Sequence, residues 1–418
     1  MLQKTTLHSG LRVITEQMDR VRSASIGIWI RTGSVDETEK ERGISHFLEH
    51  MLFKGTKSRT AKQIAQSIES LGGSLNASTG KELSVYTAHV VDEDAGVAVA
   101  TLADLLQNPR LAAGDIELER NVILTEINHA LEDPEEMAID YLYLQLFPDH
   151  PLGHFIYGSV EHVRSFQRRD FLHYIGRHYT PSRMVISAAG HVEHKKFVRL
   201  VEKHFNGSRA SVPVAAVPAI PEHYALFQRH SFPTLQQAHI AMGTRICSYS
   251  SEDKYGLLLL DAILGGGMSS RLFQNIRERY GFAYSLYSFI DLLSTTGVFG
   301  MYIGCEPGRV QQSMELLHKE LQRLCKQGVR QEELEMIKTQ TRGGLILGLE
   351  GSSARMRRIG ENEVYCASHL TPAQVVKKIE KLQRRDLGLL IEKYLDPARF
   401  STVLIAPDKK PTRRGRTA

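Results

Sequence analysis

Two histidines and a glutamate stand close together in GISHFLEHMLFKGT, residues 43–56. If this stretch is helical, His46 and His50 lie four residues apart and stack on one face, where their ring nitrogens can share one metal ion. Glu49 is three residues from His46 and adjacent to His50. Its carboxylate then lies beside the ion position, which suits a base acting on water. Phe47, Leu48, Met51, Leu52 and Phe53 cover the rest of the turn and would bury it. A buried face with two histidines and a carboxylate needs partners, because unpaired buried polar groups are costly.

Paired histidines at this spacing also occur on ordinary solvated helices. The order His-x-x-Glu-His, the inverse of the zincin motif, is what turns the reading toward hydrolysis. A catalytic zinc takes three protein ligands and keeps a fourth position open. The segment DIELERNVILTEINHALEDPEE, 115–136, is the best source of the third. It reads as a long amphipathic helix with Val122, Ile123, Ile127, Ala130 and Leu131 on its apolar side. Glu119 and Glu126 are seven apart and share a face near that side. His129, one turn beyond Glu126, is the rival ligand, and periodicity leaves both open. Glu117, Glu132, Glu135 and Glu136 read as surface carboxylates.

The elements that must carry these residues form two halves. The stretch NGSRASVPVAAVPAIPE, 206–222, has three prolines and no helical or strand period, so it reads as a linker. On either side lie related sequences. QRRDFLHYIGRHYTPSR (167–183) aligns without gaps on QRRDLGLLIEKYLDPAR (383–399) with seven identities, and an apolar strand-like run follows each copy. LRVITEQ (11–17), ASIGIWIRTG (24–33) and LQQAHIAMGTRI (235–246) alternate like half-buried strands. The expectation is an α+β chain of two homologous sandwich domains, mostly antiparallel sheets with helices on one face. The first spans 1–206, the linker 207–222 and the second 223–418.

The 418 residues are too many for one compact core. A net charge of +5, much of it in the tail DKKPTRRGRTA (408–418), gives little support to nucleic-acid binding. Cys247, Cys305, Cys325 and Cys366 form no CxxC pair, which argues against a disulfide framework or a thiolate zinc site. No basic start precedes an apolar run, and no stretch of about 18 apolar residues occurs. A cytoplasmic protein without a membrane span is expected, with an organellar location after removal of a presequence as the alternative.

The motif followed by Glu126, 76 positions after His50, resembles the pitrilysin/insulinase family of zinc peptidases. HFLEHMLFKGT is similar to the form in bacterial processing proteases and the β subunit of the mitochondrial processing peptidase. The resemblance implies one Zn2+ per chain held by His46, His50 and Glu126, with Glu49 as general base. Glu119 would stand outside the ligand set and orient a histidine. In LGGSLNASTGKELSVYTAHV (71–90), Asn76, Ala77, Ser78 and Thr79 would form an edge strand that pairs with substrate backbone. In LGGGMSSRLFQNIRERYGFAYSLYS (264–288), Arg277 and Tyr284 would hold a peptide carbonyl and stabilise its oxyanion.

The second half has YGLLLLDAIL in place of the motif, so it would act as a substrate-binding wall. The implied activity is a zinc metalloendopeptidase acting on peptides or unfolded polypeptide inside a chamber. A homodimer would build that chamber, or a heterodimer with a related subunit. The alternative is a non-catalytic structural or processing subunit of the same family.

Overall fold

A computed structural model of the chain describes residues 1–205 and 217–408. Most of the expected linker, 207–216, and the end of the basic tail lie outside the described residues. The chain divides into two compact units, one of residues 1–129, 149–220 and 342–375, the other of 130–148, 221–341 and 376–418.

The first unit holds a mixed sheet. Its strands are β1 (Leu2–Thr6), β2 (Arg12–Gln17), β3 (Ser23–Ile30), β4 (Ser74–Thr79), β5 (Ser84–Val91) and β6 (Met184–Gly190), in the order β1-β2-β6-β3-β5-β4. Only β2 and β6 pair in parallel. The two-residue period of β3 sends Ala24, Ile26, Ile28 and Ile30 into the larger core, where helices Ile44–Leu52, Ala95–Gln107, Ala113–Ala130 and Arg168–His178 pack. Trp29 points to the other face. It lies opposite Val85 of β5 and Val185 of β6, and all three join a smaller core with Met356 and Ile359.

The second unit repeats the plan with β7 (Phe227–Ser231), β8 (Ala238–Ile246), β9 (Ala283–Leu292), β10 (Gly297–Cys305) and β11 (Ser401–Ala406), in the order β7-β11-β8-β10-β9. Here β7 and β11 are the parallel pair. The strand orders match if β7 stands for β2 and β11 for β6. The repeated QRRD has a physical reason. Gln167 and Gln383 are helix N-caps, and the main-chain N–H of each donates to Asp170 or Asp386 at 2.8 Å, closing a capping box in both copies. A short turn at Pro181–Arg183 or Pro397–Arg399 then feeds the buried strand β6 or β11.

The compact units differ from the boundaries read from sequence. Helix Ser352–Tyr365, from the second half, covers β2, β3 and β6 of the first sheet. Helix Pro134–Leu146, from the first half, covers β8 and β11 of the second. In the first sheet this helix lies on the face opposite the main helical layer, and in each sheet a helix from the other half of the sequence supplies part of the cover. The contacts are close. A Cβ on Gly360 would fall 2.1 Å from the Trp29 indole nitrogen, and one on Gly243 of β8 would fall 2.9 Å from Leu142. Amphipathic pattern shows that a helix needs a sheet, but not which one.

Candidate metal centre

The helix Ile44–Leu52 begins at Gly43, whose φ of 92° is left-handed. A side chain there would also meet the Tyr157 carbonyl at 2.6 Å, so glycine is required twice over. The buried Glu37 carboxylate caps this start. It accepts the main-chain N–H groups of Gly43 at 2.8 Å and Ser45 at 2.9 Å, and the Ser45 hydroxyl at 2.6 Å. Burial pushes Glu37 up to about 8 against these three donors. Phe47, Leu48, Met51 and Leu52 anchor the inner face with no exposed surface. This leaves His46 and His50 side by side, their rings 4.7 Å apart and edge to face.

The helix Ala113–Ala130 supplies the carboxylates. Its buried stripe runs through Ile116, Glu119, Ile123 and Ile127, while Val122 and Leu131 are about two-fifths exposed at 43% and 42%. Neither lies on the buried side: Val122 is off the inward stripe, which takes in the polar Glu119 instead, and Leu131 falls just past the helix end at Ala130. Glu126 Oε2 lies 3.8 Å from His46 Nε2 and 3.5 Å from His50 Nε2. Ligand atoms of His46, His50 and Glu126 all fall within 4.8 Å of one another. Two ligands of a tetrahedral zinc with bonds of about 2.0–2.1 Å stand roughly 3.3 Å apart, so the donor set is of the type and approximate spacing that ion takes. His129, the rival in the sequence, is not part of this group.

Glu119 is 4% exposed and meets His50 Nδ1 at 2.9 Å. A carboxylate only accepts, so His50 carries its proton on Nδ1 and turns the Nε2 lone pair toward Glu126. Burial, with the neighbouring His50, lowers His46 to about 4, which keeps the ring neutral and able to ligate.

Glu49 projects beside the group. Its pKa is raised, by burial first and also by Glu126, against the lowering effects of Thr79 and His50. The Thr79 hydroxyl donates to Glu49 Oε2 at 2.5 Å. Thr79 ends β4, which pairs with β5 alone and is a terminal strand of its sheet. Asn76 and Ser78 face outward on it, while Ala77 and Thr79 turn inward. The Thr79–Glu49 bond and the ion pair of Lys54 with Glu119 were both missed in the sequence. Lys54 lies inside the motif stretch, but nothing in one sequence ties it to a residue 65 positions away (119 − 54).

Arg277 and Tyr284 belong to the second unit. Arg277 is exposed, on the short helix Phe273–Glu278, with its guanidinium 5.0 Å from the Phe273 ring centre. Tyr284 is near the start of β9 and 59% exposed. No described helix is long and apolar enough to cross a membrane.

Residues 12–159 match the family model described as Insulinase (Peptidase family M16), and 165–341 match the Peptidase M16 inactive domain. An uncharacterized zinc protease of Mycobacterium leprae is 39% identical over 97% of this chain and 91% of its own length. One from Bacillus subtilis is 35% identical over 97% of this chain and 98% of its own. A protease from Helicobacter pylori has the same fold, with a TM-score of 0.90 at 22% identity, covering 97% of this chain and 99% of that one. A peptidase M16 inactive domain from Pseudomonas fluorescens superposes with a TM-score of 0.91 at 18% identity, over 98% and 99%.

Proposed function

Because the chain belongs to the insulinase family of peptidases, we propose that it is a zinc-dependent endopeptidase that hydrolyses peptides or unfolded polypeptide. The observation that carries this reading is the convergence of His46, His50 and Glu126 beside the half-buried carboxylate of Glu49.

His46, His50 and Glu126 would hold one zinc per chain. A bound zinc lowers the pKa of water to about 7 and polarises a carbonyl. Glu49 takes the proton from the attacking water and returns it to the departing amine nitrogen. Burial favours this exchange by making the carboxylate more basic than in water, and the Thr79 hydroxyl holds one of its oxygens. Glu119 fixes the tautomer of His50. The outward edge of β4, Asn76 to Thr79, offers main-chain groups to an extended substrate. The Arg277 guanidinium and Tyr284 hydroxyl are proposed to hold a substrate carbonyl. A homodimer is the proposed assembly.

The test is incubation of zinc-loaded protein with a mixed peptide library, read by mass spectrometry beside Glu49→Gln. The wild type should cleave, and Glu49→Gln should bind zinc equally but lose cleavage. Cleavage by that variant at the wild-type rate would refute the role of Glu49. His50→Ala should lose the metal itself.

A further inference from the structure

We infer that Lys54 is a positioning residue of the metal group, acting on His50 through Glu119. The inference rests on the proposed zinc site and adds a residue to it.

The two oxygens of Glu119 have different tasks. Oε1 takes the His50 Nδ1 proton at 2.9 Å, and Oε2 pairs with the Lys54 ammonium. With its side chain only 6% exposed, Glu119 has little water to replace a lost partner. The Lys54 side chain is itself 39% exposed, but its removal still leaves the buried Glu119 charge without that partner. The carboxylate would then turn toward solvent or another donor, and its grip on the imidazole would change.

Lys54 is well placed for this task. It follows the motif helix directly, after the C-cap Phe53. Its own carbonyl accepts from Arg110 Nη2 at 2.9 Å, and the same nitrogen donates to Asp115 at 2.7 Å, in the first turn of the helix carrying Glu119 and Glu126. Side chain and main chain of one residue thus join the two ligand-bearing helices. His46 has no matching support, since its Nδ1 is buried without a hydrogen-bond partner among the described residues. The orientation of the histidine pair therefore depends on the His50 side. Sequence separation hides this chain of contacts, because Lys54, Glu119 and His50 meet only in the fold.

The experiment measures zinc affinity of the full chain by competition with a chromophoric chelator. Variants are Lys54→Met, Lys54→Gln, Lys54→Arg, Glu119→Gln and the Lys54→Met/Glu119→Gln double. Loss of an outer partner of a ligating histidine weakens metal binding about 10–100-fold. Both neutral Lys54 variants should raise the zinc Kd at least about 10-fold, and Lys54→Arg should stay within about threefold of wild type. In the Glu119→Gln background, Lys54→Met should add less than about twofold, since the route through Glu119 is already cut. A wild-type Kd in both neutral variants overturns the inference while the zinc site stands. So does an undiminished effect in the Glu119→Gln background. A wild-type chain that binds no zinc overturns the site and the inference together.

Discussion

Thr79→Val isolates one hydrogen bond at the proposed base. Valine has the shape of threonine with a methyl in place of the hydroxyl, and it is equally suited to a strand. Thr79 pairs with Ser84 at the end of the β4–β5 ladder, and those main-chain contacts stay. What disappears is the donor at 2.5 Å from Glu49 Oε2. A hydrogen bond to a charged group contributes about 1.5–3 kcal/mol, here entirely to the ionised form of Glu49. Burial and Glu126 already raise this carboxylate, while Thr79 and His50 oppose them. Loss of the donor raises it further. At a pH on the acid limb, the ionised fraction of the base should fall about tenfold or more. The assay is kcat/KM against pH at saturating zinc. Thr79→Val should lose that factor at the acid end and converge on the wild type as the pH rises, and Thr79→Ser should track the wild type. Zinc affinity should stay within about twofold, because Glu49 is not a ligand in this scheme. An unmoved acid limb would refute the reasoning, as would a loss of zinc large enough to explain the rates.

Gly360→Ala should destabilise the first unit by about 1–3 kcal/mol, since the new methyl meets Trp29, which is 1% exposed and donates to Ser187 at 2.7 Å. Urea unfolding measures it, and a stability gain from helix propensity alone would contradict the packing. Asp261 is raised to about 6 by burial, with one carboxylate oxygen lacking a partner. A raised carboxyl gives stability that is complete below its unfolded value and is lost as pH climbs through about 6. Asp261→Asn should flatten that decline and be more stable than the wild type at pH 8 by roughly 1–3 kcal/mol. Unfolding curves that stay parallel across acid and alkaline pH would contradict it. Tyr284→Phe should lower kcat with zinc binding intact, if its hydroxyl stabilises the oxyanion; equal kcat in both proteins removes that role.

The helical placement of His46 and His50 was legible because a four-residue spacing is local geometry. The duplication was legible in QRRD because both copies need the same capping box. The position of Val122 was misjudged for a related reason. Apolar counting assigns the stripe to hydrophobic residues, yet this helix turns Glu119 inward, where the histidine and Lys54 satisfy it. Thr79 on Glu49 and Lys54 on Glu119 were not legible, since each contact joins elements far apart in sequence. The exchanged helices were hidden too. Nothing within Ser352–Tyr365 says that Trp29 is the surface it covers.

That exchange changes what either half can be without the other. Cut between 206 and 222, the chain would yield two polypeptides, each holding a layer that the other's sheet lacks. The first would carry the whole histidine-glutamate group yet leave Ile14, Trp29, Val85 and Val185 open to water. Two such fragments should stay inert apart and complement on mixing. A second half with no metal motif is thus no vestige: donating one helix makes it a folding partner for the half that holds the histidine-glutamate group.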